Sequence, residues 1–192
     1  MQLDNFLPTS QFSEFHSVLV NAPPEQVFTA IQELSPAELS PVIFWLLNIR
    51  ALPARLMGKA AAGALQAGSF LDQMYQGGFI PLATQPGQEI VFGLVGRFWK
   101  LALEEAPRIP DPQAFLAFDD PAYAKVAANL LITEGEDGRT RCSTETRVYA
   151  PDPATRRKFA FYWSFISMGS AFIRVLWLRA IKRKAERASR AA

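Results

Sequence analysis

Residues 145–166 read ETRVYAPDPATRRKFAFYWSFI, and the reading of this stretch decides the fold. It opens as a polar, β-branched run whose charges alternate in sign, Glu145-Thr146-Arg147-Val148. After Pro-Asp-Pro it becomes the most aromatic segment of the chain, with Phe159, Phe161, Tyr162, Trp163 and Phe165 crowded into seven positions. Asp152 is a good helix N-cap, and Pro153 falls at the first helical position, where a missing N–H costs nothing. The spacing predicts a helix from Pro153 to about Glu186, roughly 50 Å long at 1.5 Å per residue. One stripe, Phe159, Trp163, Ile166, Ser170, Ile173, Trp177 and Ile181, recurs by threes and fours. Aromatics also lie off that stripe, so the helix needs a wide cover such as a curved sheet. On the strand before it, Glu145 and Arg147 share one face, opposite Thr144, Thr146 and Val148.

Working outward, Ala124–Thr133 and Thr140–Tyr149 read as two strands joined by Glu-Gly-Glu-Asp-Gly, whose Asp137-Gly138 pair is a strong hairpin signal. The carboxylates of Glu134, Glu136 and Asp137 at that tip read as solvated rather than as a cation site. Near the N-terminus, Phe12–Asn21 is short, rich in Phe and Val and free of Gly and Pro, which predicts a strand. The following APPEQVFTAIQEL predicts a helix with proline at its start and Val27, Ala30, Ile31 and Leu34 at helical spacing. A second helix is expected from about Pro41 to Ile49, ending before Pro53. The small-residue segment at 58–69 has no strong period. FLDQMY (70–75), FIPLAT (79–84), a long run from Glu89 bent at Gly93 and Gly96, and AFLAF (114–118) complete the expected strands.

The chain has 192 residues, 49% apolar and 20% charged, enough for one domain that buries about 70% of its unfolded surface. A single cysteine, Cys142, excludes an internal disulfide framework and fits a reducing compartment. MQLDNFLPTS has neither a basic nor an apolar signal region, so a cytoplasmic protein is expected. The uncharged run Phe159–Ile173 is fifteen residues, short of the roughly 20 a membrane span needs. Net charge is +2, yet seven basic residues and one acid lie between Arg174 and the end. This basic extension, about 182–192, reads as a complement to the helix dipole; the other reading is weak peripheral contact with an anionic membrane. No nucleic-acid partner is expected, and monomer and homodimer stay open.

Midway along the long helix, Ser167–Ala171 (SMGSA) replaces bulk with small side chains, and Gly169 costs helix stability relative to alanine. Either another element packs closely there or the missing volume belongs to a pocket. The pocket reading places Trp163, Ile166, Gly169, Ser170 and Ile173 on the helix side and Phe92 and Trp99 on the sheet side. Asn129, Thr144 and His16 supply polar groups if they point inward.

The order of elements resembles the START-like, or SRPBCC, superfamily with its helix-grip fold. The residues that carry the resemblance are FHSVLVNAPPEQVFTAI at the start and TETRVYAPDPATRRKFAFYWSFI with GSAFIR at the end. The resemblance implies an α+β fold, a curved antiparallel sheet of six to seven strands wrapped around a long C-terminal helix, with two shorter helices after the first strand. It also implies one domain over residues 1–192 and a cavity under the helix. Two functions follow as expectations: binding, transport or sequestration of an apolar or amphipathic small molecule, and polyketide cyclase- or dehydratase-like catalysis on an aromatic or polyketide-type substrate.

Catalytic signatures are sparse. One histidine and one cysteine exclude the usual zinc sets, no metal or cofactor is expected, and neither a nucleophile elbow nor a phosphate loop occurs. The weak catalytic candidates are His16, able to titrate near neutrality, and Glu145, whose other reading is a charge pair with Arg147. Binding is favoured over catalysis because acid–base residues are few.

Overall fold

A computed structural model describes residues 1–43, 45, 68–100 and 107–191. In chain order the elements are α1 (Leu3–Phe6), β1 (Phe12–Val20), α2 (Pro24–Gln32), α3 (Phe70–Gln76), β2 (Ile80–Gln85), β3 (Glu89–Gly96), α4 (Pro112–Ala117), β4 (Ala124–Glu134), β5 (Thr140–Tyr149) and α5 (Pro153–Ala191). The five strands form one antiparallel sheet in the order β1-β5-β4-β3-β2.

The fold is α+β, as expected, but among the described residues the sheet has five strands rather than six to seven. Two runs read as strands are helices. Ser69 caps the first: its Oγ accepts from Asp72 N while Asp72 accepts from Ser69 N, a reciprocal box that starts α3 at Phe70. Asp111 accepts from Ala114 N and Pro112 occupies the first turn, which turns AFLAF into α4. In both cases the cap lies just outside the apolar run. The long run from Glu89 ends as a strand at Gly96. Of the helix expected at 41–49, residues 41–43 and 45 are helical; its remainder, like most of segment 58–69, lies outside the described residues.

The hairpin between β4 and β5 turns at Asp137 and Gly138, both left-handed at φ 56° and 71°; a glycine and an aspartate tolerate that conformation best. Both faces of the sheet are covered. On the inner face, Ile90, Phe92, Ala128, Leu130, Ile132 and Cys142 pack with α2 and with Trp177, Leu178 and Ile181 of α5. On the outer face, Leu3, Leu7 and Phe115 from α1, its following turn and α4 pack on Val91, Val95 and Ala127.

The helix α5 runs unbroken through Gly169 to Ala191. The basic extension is part of it. Lys182 donates to Leu19 O at 2.6 Å, Glu186 accepts from Asn21 N at 2.9 Å, and Ala185 is buried. These contacts fasten the last turns to the end of β1.

Candidate functional site

The candidate site is the inner face of the sheet beneath the middle of α5. Antiparallel register fixes which side chains reach it: Glu14 lies opposite Thr146, His16 opposite Thr144, and Phe92 opposite Ala128. The helix holds on at two ends. Near its start, Phe159 meets Phe12 at 5.0 Å between ring centroids, Phe98 at 6.1 Å and Trp163 at 5.7 Å. Near its end, Trp177 meets Phe70 at 5.1 Å and Phe92 at 6.2 Å.

Between these aromatic ends the two flanks of the helix differ. One flank carries Arg174, whose Nη1 donates to Glu14 Oε2 at 2.8 Å and to Ser170 Oγ at 2.7 Å, while Nε donates to Thr146 Oγ1 at 3.1 Å. The second oxygen of Glu14 meets His16 Nε2 at 2.9 Å. Burial lowers the Arg174 pKa and the Glu14 charge opposes that shift; the guanidinium remains a cation at any ordinary pH. The result is a polar clamp, Ser170–Arg174–Glu14–His16, that ties α5 to the edge strand β1.

The other flank is open. A methyl group built at Gly169 would meet, apart from its chain neighbours and the backbone of its own helix turn, no atom of the described residues within 4 Å. At 100° per residue, Gly169 lies about 40° from Ile173 and about 60° from Ile166 around the helix. On its other side it lies as close to the exposed Phe165 and Phe172, about 40° and 60° away. Gly169 thus sits at the margin between the inner stripe, where Ile173 packs against the core, and the outer face of the helix. Beneath that margin run β3 and β4. There Leu94 and Val126 point inward yet are only half-buried. Farther along, the Trp177 indole N–H is buried without a hydrogen-bond partner among the described residues. A buried orphan donor of this kind calls for a bound acceptor or an ordered water.

The expected site residues therefore fall into three groups. Phe92, Thr144 and His16 lie on the inner face of the sheet; Ile173 packs against the inner core, Trp163 against Phe12 and Phe159, and Ser170 accepts from Arg174, while Ile166 and Gly169 are half-buried on the helix between them. Trp99 belongs with the Trp163 end, away from Phe92, and lines a cleft of about 420 Å³ with Arg97, Lys100, Asp152, Thr155 and Lys158 at the start of α5. Asn129 and Glu145 are on the outer face. Asn129 donates to Glu89 Oε1 at 2.7 Å and accepts from Glu145 N at 2.9 Å. Glu145 accepts from Arg147 Nε at 2.7 Å, and Arg147 also donates to Asp4 at 2.8 Å and to Leu7 O at 3.1 Å. That network pins α1 to the back of the sheet, so Asn129 and Glu145 are structural and leave the site. Glu14 and Arg174 were missed; the signal for them was a carboxylate two residues from His16 on one strand face, and a lone cation inside an apolar helix.

No family model and no curated protein matches the sequence. Among solved structures, protein MLL2253 from Mesorhizobium loti is 17% identical over 92% of this chain and 98% of its own, with a TM-score of 0.39. TTHA0849 from Thermus thermophilus is 10% identical over 93% and 99%, at 0.33. Ara h 8.0201 is 12% identical over 91% and 97%, at 0.28. All three scores fall below 0.5, and the functional reading stands on the geometry of the site.

Proposed function

We propose that the chain is a START-like, helix-grip domain that holds an apolar or amphipathic small molecule between the sheet and α5. The open flank at Gly169 carries this reading. A packed helix of this length has no reason to keep a glycine facing space that no described residue fills, at about 1 kcal/mol against alanine. Leu94, Val126, Ile166 and Ile173 offer apolar walls, and the unpartnered Trp177 N–H favours a ligand that carries an acceptor such as a carbonyl. Few convergent polar groups in an apolar concavity is the usual composition of a small-molecule site. The clamp of Arg174 and Glu14 acts as a strut, because three of the five Arg174 N–H donors are committed to Glu14, Ser170 and Thr146 and both Glu14 oxygens are engaged within the protein.

Native mass spectrometry of the purified protein should reveal a co-purifying small molecule. Titration with an anilinonaphthalene sulfonate should show saturable binding that Gly169→Trp weakens at least about tenfold, since the indole fills the space. Unchanged binding in a folded variant would sink the proposal.

A second reading, catalysis of the cyclase or dehydratase kind, draws on the Glu14–His16 contact at 2.9 Å on the inner face. It predicts turnover of an aromatic polyketide-type substrate that His16→Gln abolishes with binding intact.

A further inference from the structure

The face of α5 that looks away from the sheet is apolar, and no described residue covers it. Phe161, Phe165, Met168 and Phe172 are exposed by 71%, 67%, 79% and 46%. Their spacing of four, three and four puts them on one stripe, and Phe161 and Phe165 touch edge to face at 5.0 Å. Only 6% of the most apolar 18-residue window of this helix is buried. A stripe of four large apolar side chains without cover among the described residues demands a partner.

The charges on the same stripe say which partner. One turn before Phe161 stands exposed Arg157, next to Lys158; seven residues after Phe172 stands exposed Arg179, with Arg183 a turn beyond. Cations thus bracket an apolar stretch about 16 Å long. A second copy is disfavoured by this arrangement. Two-fold pairing of the stripes, parallel or antiparallel, sets basic ends against basic ends. The apolar part is also only about 16 Å by 10 Å, far less than the roughly 800 Å² per partner of a stable interface. Spanning is disfavoured too. Arg174 lies within the helix, and its opposite face is committed to Glu14, Phe92 and the core.

We infer that this stripe docks the protein flat onto an anionic lipid surface, with the phenylalanines and Met168 in the acyl boundary and the flanking arginines on the headgroups. Apolar insertion combined with basic residues at the same depth is the physics of interfacial helices. The inference rests on Phe161, Phe165, Met168 and Phe172, none of which lines the proposed ligand site, although Gly169 borders both. The two readings fail separately.

The test uses the full chain with vesicles of phosphatidylglycerol and phosphatidylcholine, or of phosphatidylcholine alone. Co-sedimentation is expected with the anionic vesicles only, and it should weaken as salt is raised. Phe161→Ser with Phe165→Ser should lower partitioning at least about tenfold; both positions are exposed, so the fold should survive. Arg157→Gln and Arg179→Gln should each lower it about fivefold. Because the native thiol of Cys142 is buried and pushed up to about 12, Met168→Cys introduces the one reactive thiol, and an environment-sensitive dye there should shift to the blue on anionic vesicles. The inference is overturned if the protein stays in the supernatant, or if the double serine variant binds as well as wild type. It is equally overturned if the dye reports an apolar environment before lipid is added, meaning that another part of the chain covers the stripe. A dimer that Phe165→Ser dissociates would make a second copy the occupant and also overturn it.

Discussion

Gly169→Ala and Gly93→Ala add the same methyl group at two places where opposite outcomes are expected. At Gly169 the added Cβ meets nothing within 4 Å among the described residues apart from its chain neighbours and its own helix backbone, so the change only removes the conformational cost of glycine inside a helix, about 1 kcal/mol. For a chain of this size that raises Tm by about 2–4 °C. At Gly93, on β3, the Cβ would lie 2.8 Å from Leu82 Cδ1 and 2.8 Å from Phe115 Cε2. Both neighbours are buried, Phe115 completely, so neither swings into solvent. Overpacking of that kind costs about 1–3 kcal/mol, and Tm should fall by roughly 2–12 °C. Calorimetry on the two variants beside wild type, with urea titration to confirm the order, checks both signs. Gly169→Leu extends the series: it should keep the gain in stability while filling the proposed cavity. If Gly169→Ala lowers Tm, matter already fills the space beside the helix, and the cavity reading falls with it.

Arg174→Met should leave the Glu14 carboxylate half-buried beside His16 and cost about 3 kcal/mol; adding Glu14→Gln should recover part of the loss in a double-mutant cycle. The Asp4 carboxyl, held below its usual range mainly by its hydrogen bond to Arg147, contributes stability above its unfolded pKa that is lost as pH falls through the lower folded one. Urea midpoints taken at about pH 6 and about pH 2.5 should therefore drop, and Asp4→Asn should shrink the drop.

The long helix and the hairpin were legible because their signals are local. Asp152-Pro153 starts α5 and Asp137-Gly138 turns β4 into β5, each within a few residues of the element it governs. The strand count was not legible. FLDQMY and AFLAF look like strands taken alone; Ser69 and Asp111, which lie just before them, make them helices. Asn129 was misplaced for a different reason. With both faces of β4 covered, its residues are buried on both sides of the pleat, from Ala127 through Leu130, and no alternation remains to say which way Asn129 points. Glu14 and Arg174 are 160 residues apart. Only the register of β1 and the path of α5 bring them together, and a linear reading has no access to either.

The attachment of α1 has a consequence for how the protein is made. Gln2 N donates to Glu89 Oε2 across 87 residues, and Asp4 pairs with Arg147 across 143. Residues 2–7 leave the ribosome long before their docking surface, which does not exist until β3, β4 and β5 have all been translated. Through most of synthesis Leu3, Phe6 and Leu7 are unsheltered apolar side chains, and the Glu89 carboxylate, once made, waits for its backbone donors to return. The closing of α1 over the back of the sheet is thus a late event, one that slow translation postpones.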